Sequence, residues 1–390
     1  MQTFCVAAAA LLAAAPVAVL ATPAANAMPA PTAAPRPREV EVALEKRIAS
    51  CTYSGSEYST AIKSKTSCDW IVLADLAIPA GETLDMTGLK DNTVIVFSGN
   101  TTFGYKEWEG PLFSVSGTGI KVTGLDGSAL DGNGASYWDG GGGDSGKTKP
   151  KFFSAHKITN GAIENLNIVN PPVQVFSINK VTNTTFTNIT IDSKAGDANA
   201  KNTDGFDIGD SDGITITNAT VYNQDDCVAI NSGTNITFTG GLCSGGHGLS
   251  IGSVGGRDNN VVDGVQFLHS TVTKSVQAIR VKGKTNTTGT INAVTYNDIT
   301  MSSISKYGIL IEQNYNGGDL KGTATSDVPI TNLTISNIAG TDAVKSSGNN
   351  VVITCGSETS CTAWTWTNVT VTGGKLYKKC TNVPSVTVCS

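Results

Sequence analysis

NTDGFDIGD (Asn202–Asp210), NQDDCVAINS (Asn223–Ser232) and GGHGLSIGS (Gly245–Ser253) follow one another with only short stretches between them. Each contains an apolar–x–apolar pair: Phe206/Ile208, Val228/Ile230 and Leu249/Ile251. Two residues ahead of each pair stands a polar group, Asp204, Asp226 or His247, at intervals of 22 and 21 residues. A period-2 pair recurring at that spacing is the signature of a parallel β-solenoid. Strands of neighbouring coils stack about 4.8 Å apart, so equivalent positions form ladders across coils. Asp204, Asp226 and His247 are one predicted ladder, with Asp225 directly beside it. Three carboxylates and an imidazole therefore gather on one side of a rod.

The same pair recurs outward in both directions, at Phe176, Phe206, Val228, Leu249, Ile279 and Ile309. Its intervals of 30, 22, 21, 30 and 30 residues fit coils whose loops differ in length while the strands stay in register. Further alternating runs include Ile158/Ile163, Leu166/Ile168, Ile214/Ile216, Ile236/Phe238, Val265/Phe267, Val294/Tyr296 and Leu333/Ile335. Earlier β-rich runs are predicted at Trp70–Leu73, Thr93–Phe97, Leu112–Val115 and Ile120–Thr123, with loops at Asp131–Gly134 and Gly140–Gly146. A solenoid needs its open ends covered. Ile48–Lys65, with room for one short helix, is the expected N-terminal cap, and Ser357–Ser390 the C-terminal one. No linker-like shift in composition follows Ile48, so 48–390 reads as one domain.

Composition agrees. The 390 residues include 43 Gly, and only 15% are charged. Average chains carry about 25%, and this balance favours an all-β chain rich in tight turns. The first 47 residues read as processing sequence. Val6–Ala21 is an apolar run broken by Pro16, Ala25-Asn26-Ala27 is a cleavage candidate, and Lys46-Arg47 ends a Pro/Ala-rich segment. The expected division is a signal peptide over 1–27 and a pro-peptide over 28–47, giving a secreted, extracellular chain starting at Ile48. Removing residues 1–47 takes four basic residues from 27 and three acidic ones from 32, leaving a net charge of −6. Such a chain is a poor partner for nucleic acid. Outside the leader there is no apolar stretch of about 20 residues, so no membrane span is expected.

Of nine cysteines, Cys5 leaves with the leader, and an even count in a secreted chain argues for disulfides. Local spacing suggests Cys51–Cys68, Cys227–Cys243, Cys355–Cys361 and Cys380–Cys389, without fixing the connectivity. No CxxC occurs and there are only three His, which argues against a metal centre. Sequons begin at Asn100, Asn183, Asn188, Asn218, Asn235, Asn286, Asn332 and Asn368. Several lie in near-identical T-N-x-T segments, where a buried Asn or Thr ladder at a solenoid turn is expected and only a minority carry glycans.

Glycosidic cleavage needs an acid to protonate the leaving oxygen and a carboxylate to activate water or attack the sugar. Asp204, Asp225 and Asp226 supply enough groups, and clustered carboxylates raise one another's pKa. Strand parity complicates the placement. Asp225 has outward parity, whereas Asp204, Asp226 and His247 share that of the inward pairs, and reach solvent only if each lies at a bend before its strand. A ladder of Asp bonding turn backbones is the structural alternative, but three Asp and a His converging on one face favour chemistry. In Ile279-Arg280-Val281-Lys282 the two cations share the outward face. They either neutralise the acids or recognise a substrate carboxylate. Tyr315, one coil later, can stack on a sugar. His156 and His269 read as packing or surface residues.

The set NTDGFD (202–207), NQDD (223–226), GHGLSIGS (246–253) and RVK (280–282) closely resembles the polygalacturonases, pectin-hydrolysing glycosidases built on a right-handed parallel β-helix. Among these, the secreted fungal endopolygalacturonases are most similar, and the match extends over Ile48–Ser390. Val281 stands where the family pattern usually has Ile, an inward swap that leaves the site untouched. The resemblance implies an inverting hydrolase with Asp225 as general acid. It also implies Asp204 and Asp226 as holders and activators of the water, and His247 tuning the acid. Arg280, Lys282 and Tyr315 would bind galacturonate, and Asn202 would line the cleft. It implies no metal or cofactor, pectin or polygalacturonate as partner, and a monomer. The alternatives are a rhamnogalacturonan hydrolase, an exo-acting polygalacturonase, a calcium-dependent lyase, and a non-catalytic pectin-binding solenoid.

Overall fold

The computed structural model describes residues 50–389. The expected signal peptide, pro-peptide and mature start at Ile48 lie outside the described residues. Within them, short strands follow one another round a rod, and each pairs in parallel with its equivalent one coil later. The chain is an all-β parallel β-helix. The predicted register along the marked face is observed: Phe176 pairs with Phe206, then Val228, Leu249, Ile279, Ile309 and Val351 in succession.

Inward positions build one continuous core in which like stacks on like. Phe113, Phe153, Phe176 and Phe206 form an aromatic column with centroids 4.6, 4.7 and 5.1 Å apart. Phe267 and Tyr296 stack at 4.6 Å on a second face. Each such pair adds roughly 0.5–1.5 kcal/mol beyond its buried area. The column also locks register, because a one-residue slip would turn every aromatic outward.

The N-terminal end is covered as expected. Strand Ser50–Gly55 pairs with Trp70–Ile78, and a short helix, Tyr58–Ser64, buries Ala61 against the core. Cys51–Cys68 closes this unit, and the other three disulfides join Cys227–Cys243, Cys355–Cys361 and Cys380–Cys389. The C-terminal expectation needs correction. The stretch from 357 first adds another coil, with Cys361–Thr362 and Thr365–Val371 pairing onto the one before. Only the segment after Val371 is irregular, bridging to the strand Asn349–Thr354 at its two ends. The alternation of the added strand was hidden because Thr and Asn fill four of the seven positions of TWTNVTV.

The sequon asparagines also differ from expectation. All eight are exposed rather than buried. Seven of them, from Asn183 to Asn368, adopt left-handed backbone, with φ between +47° and +54°. Asn tolerates this conformation better than other non-glycine residues, which accounts for its recurrence at the turn. A ladder does exist, on the outside: Asn188 Nδ2 donates to Asn165 Oδ1 at 3.2 Å, and Asn368 Nδ2 to Asn337 Oδ1 at 2.9 Å.

Candidate active site

Asp204, Asp226 and His247 each sit in the bend immediately before their strands, Phe206–Gly209, Val228–Ile230 and Leu249–Val254. That position frees them from strand parity. The bends stack as the strands do, since Gly205 N–H donates to Asp226 O and Cys227 N–H to Gly248 O, both at 2.9 Å. The residues before the acids build the bend. Asn223 Nδ2 donates to the carbonyls of Thr203, Asp225 and Asp226 at 2.9, 3.0 and 2.9 Å. Gln224 Nε2 reaches Asp197 at 2.8 Å, while its Oε1 accepts from Thr203 Oγ1 at 2.7 Å. The NQ of NQDD is thus scaffolding that presents the DD to the groove.

All eight predicted site residues line one groove: Asn202, Asp204, Asp225, Asp226, His247, Arg280, Lys282 and Tyr315. Asp225 Oδ1 takes the His247 Nδ1 contact at 2.8 Å and accepts the Asp226 N–H at 2.8 Å, while Oδ2 accepts from Asn202 Nδ2 at 2.9 Å. Asn202, at φ +52°, is in turn held by the Gly143 N–H on its Oδ1 at 3.1 Å. It therefore positions Asp225 as well as lining the cleft. Asp226 is gripped from two sides, by Ser250 Oγ at 2.7 Å and the Lys282 ammonium at 2.6 Å.

The electrostatics separate the three carboxylates. Burial, then the charges of Asp225, Asp207 and Asp226, push Asp204 well above the ordinary carboxylate range, and its Oδ1 is buried without a protein partner. Burial also opposes ionisation of Asp225, but the hydrogen bond and charge of His247, followed by Lys282, outweigh it and hold Asp225 below the usual range. His247 moves the other way. Burial disfavours its cation, yet the hydrogen bond and charge of Asp225 and the charge of Asp226 lift its pKa above the ordinary histidine range. The proton that clustering retains thus stays on Asp204, whereas Asp225 shares one with His247. A carboxylate held low can deliver a proton only by way of its partner, so any acid role of Asp225 runs through the proton it shares with His247.

Oxygens of Asp225 and Asp226 and a ring nitrogen of His247 lie within 4.8 Å of one another, a spacing that would suit a cation. Their lone pairs are already used by Asn202, Ser250, the Lys282 ammonium and each other. That set fits a proton relay better than a metal.

Arg280 and Lys282 have the predicted outward parity, but they are not free. Their side chains are only 5% exposed, and each is inside an ion pair, Arg280 with Glu312 and Asp319, Lys282 with Asp226. The ring of Tyr315 lies 5.3 Å from the guanidinium and 5.7 Å from the ammonium. Neither His156 nor His269 lines the part of the groove that holds the acids. His156 bonds Ser177 Oγ at 2.9 Å, and the exposed His269 pairs with Asp298 at 2.7 Å.

Sequence reasoning missed several residues in and behind the groove. Asp207, between the inward Phe206 and Ile208, has the outward parity that would have revealed it. Burial and the neighbouring Asp226 and Asp225 push it up to about 7. Ser250 has the same parity between Leu249 and Ile251. Asp319 lies in an aperiodic loop and carries no such signal. Beyond Asp207, Asn231 and Arg257 the groove continues toward the N-terminal coils past Lys151, Gln174 and Lys180.

Paired acids, an imidazole-linked carboxylate and a long polar groove across a parallel β-helix define a glycoside hydrolase acting on an extended polymer. The family model for Glycosyl hydrolases family 28 matches residues 68–389, and the chain belongs to that family. It is 57% identical over 343 residues to an endopolygalacturonase of Emericella nidulans, covering 87% of this chain and 90% of that one. Endopolygalacturonase I of Aspergillus aculeatus is 56% identical over 348 residues, with 89% and 91% covered. Among solved structures, endopolygalacturonase I from Stereum purpureum complexed with two galacturonates superposes with a TM-score of 0.71 at 36% identity, covering 83% of this chain and 95% of that one.

Proposed function

We propose that this glycoside hydrolase is a secreted endopolygalacturonase that cleaves the α-1,4 linkages of pectin or polygalacturonate by an inverting mechanism. One observation carries the reading: a proton-sharing Asp225–His247 pair and a clamped Asp226 open onto the same groove as Arg280, Lys282 and Tyr315. The similarity to endopolygalacturonases supports the substrate class.

Asp225 protonates the leaving oxygen with the proton it shares with His247. Asp226 takes a proton from the attacking water, which lies between it and the neutral carboxyl of Asp204. General acid–base steps of this kind contribute about 10²–10⁴-fold each. Arg280 and Lys282 recognise carboxylates of the polymer, and Tyr315 stacks on a sugar ring. Residues 1–27 and 28–47 act as leader and pro-peptide, and the mature chain works as a monomer without metal or cofactor.

The test is to incubate the mature protein with polygalacturonate and resolve the products by size over time. A spread of intermediate oligomers at early times supports endo-hydrolysis. Exclusive early release of monomer or dimer refutes endo action, and unsaturated ends or no cleavage refute the hydrolase reading.

A further inference from the structure

Arg280 is held by more acid than its charge alone requires. Its Nη2 donates to Glu312 Oε1 at 3.2 Å and also to Asp319 Oδ1. Glu312 is fully buried beneath it, and its other oxygen accepts the Leu320 N–H at 2.6 Å. Asp319 stands beside the guanidinium on the groove wall, 12% exposed. Its second oxygen accepts from Lys306 Nζ at 2.6 Å and Gln277 Nε2 at 3.3 Å. One nitrogen of Arg280 thus serves two carboxylates, while Nε is buried with no protein partner.

The formal charges around this corner cancel. Arg280 and Lys306 face Glu312 and Asp319, and Lys282 is already matched by Asp226. A free carboxylate arriving at the guanidinium therefore meets no surplus positive charge, and it lies next to the Asp319 anion. A methyl-esterified carboxyl keeps a carbonyl oxygen that accepts a hydrogen bond and brings no charge to be repelled. Like-charge juxtaposition in a partly buried site is how specificity is set against a ligand.

We propose that Asp319 is a specificity-determining residue that lowers the preference of the Arg280 subsite for a free carboxylate over its methyl ester, so that the groove accepts partly methyl-esterified polymer. This rests on the reading of Arg280 as a binder of the substrate carboxyl. Lys306 partly masks Asp319 and works in the opposite direction.

The experiment measures kcat/KM of the mature enzyme on oligogalacturonates and on the same oligomers methyl-esterified, and takes the ratio of free acid to ester. Comparing ratios cancels general damage to folding or catalysis. Asp319→Asn, which keeps the shape, should raise the ratio about three- to tenfold, the size of one charge interaction in a partly buried site. Lys306→Ala should lower it. A ratio that stays within about twofold or falls for Asp319→Asn, or that does not fall for Lys306→Ala, overturns the proposal. Arg280→Ala separates the two levels of inference, since it should collapse the preference for the free acid. If it leaves the preference intact, the Arg280 reading itself is wrong; if it collapses while Asp319→Asn changes nothing, only the role of Asp319 falls.

Discussion

Two ladders of polar side chains run along this rod, and they have opposite characters. Asn165 and Asn188 stack in exposed, left-handed turns, with amide bonded to amide. Asp204, Asp226 and His247 recur at similar spacing, but in bends folded into the groove, where an Asp204 oxygen lacks a partner and neighbouring charges displace the pKa values. Both ladders follow from the same coil geometry. Burial and an unpartnered carboxyl oxygen separate the ladder proposed to be reactive from the scaffold, and recurrence alone does not.

The largest expected effect breaks the reactive ladder. Asp225→Asn, Asp204→Asn and Asp226→Asn should each reduce kcat by about 10²–10⁴-fold, with the thermal transition retained. Turnover near normal in all three would move the site elsewhere. Next comes Lys282→Ala. It removes the 2.6 Å partner of Asp226 as well as a cation for the polymer, so kcat/KM on polygalacturonate should fall at least about tenfold, and the intact enzyme should bind the polymer less tightly as salt rises. Equal activity of wild type on a neutral galactan would contradict carboxylate recognition.

A third expectation concerns pH and stability. Asp204 and His247 titrate above their ordinary values, and Asp207 rises from 3.8 to about 7. The folded state therefore holds protons that the unfolded chain releases between those limits, and stability falls as pH rises through this window. Asp225, held below the usual range, acts in the opposite sense only under more acidic conditions. Melting temperature measured from about pH 4 to pH 7 should decline, and Asp207→Asn should flatten part of the decline. A rise across that range would refute the charge assignment. The smallest effect belongs to the scaffold: Asn188→Ala, at φ +54°, should cost only about 1 kcal/mol of stability and leave turnover unchanged, as denaturation curves and rates would show.

Much of this was legible in the sequence, for physical reasons. Period-2 pairs report core-facing strands directly, so the register Phe176–Phe206–Val228–Leu249–Ile279–Ile309 could be read before any coordinates. The acids and His247 were legible because each stands at a fixed offset from such a pair. Partners supplied by aperiodic loops were not: Asp319 reaches Arg280 from a segment with no repeat to index it. The burial of Arg280 and Lys282 has mixed sources, Asp226 and Glu312 from indexed coils and Asp319 from the loop. Arg280 and Lys282 face outward as read, yet carboxylates from elsewhere in the chain enclose them. The sequon turns erred the other way, because Asn recurs there for its left-handed backbone and needs no burial.

The central claim is that Asp225 acts as acid while Asp226, with Asp204, directs a water to the opposite face of the sugar. Such a direct displacement inverts the anomeric carbon, whereas a carboxylate nucleophile would retain it. Proton NMR of fresh hydrolysis, before mutarotation, distinguishes the two. The account predicts that the β-anomer appears first from the α-linked polymer; first appearance of the α-anomer would contradict it.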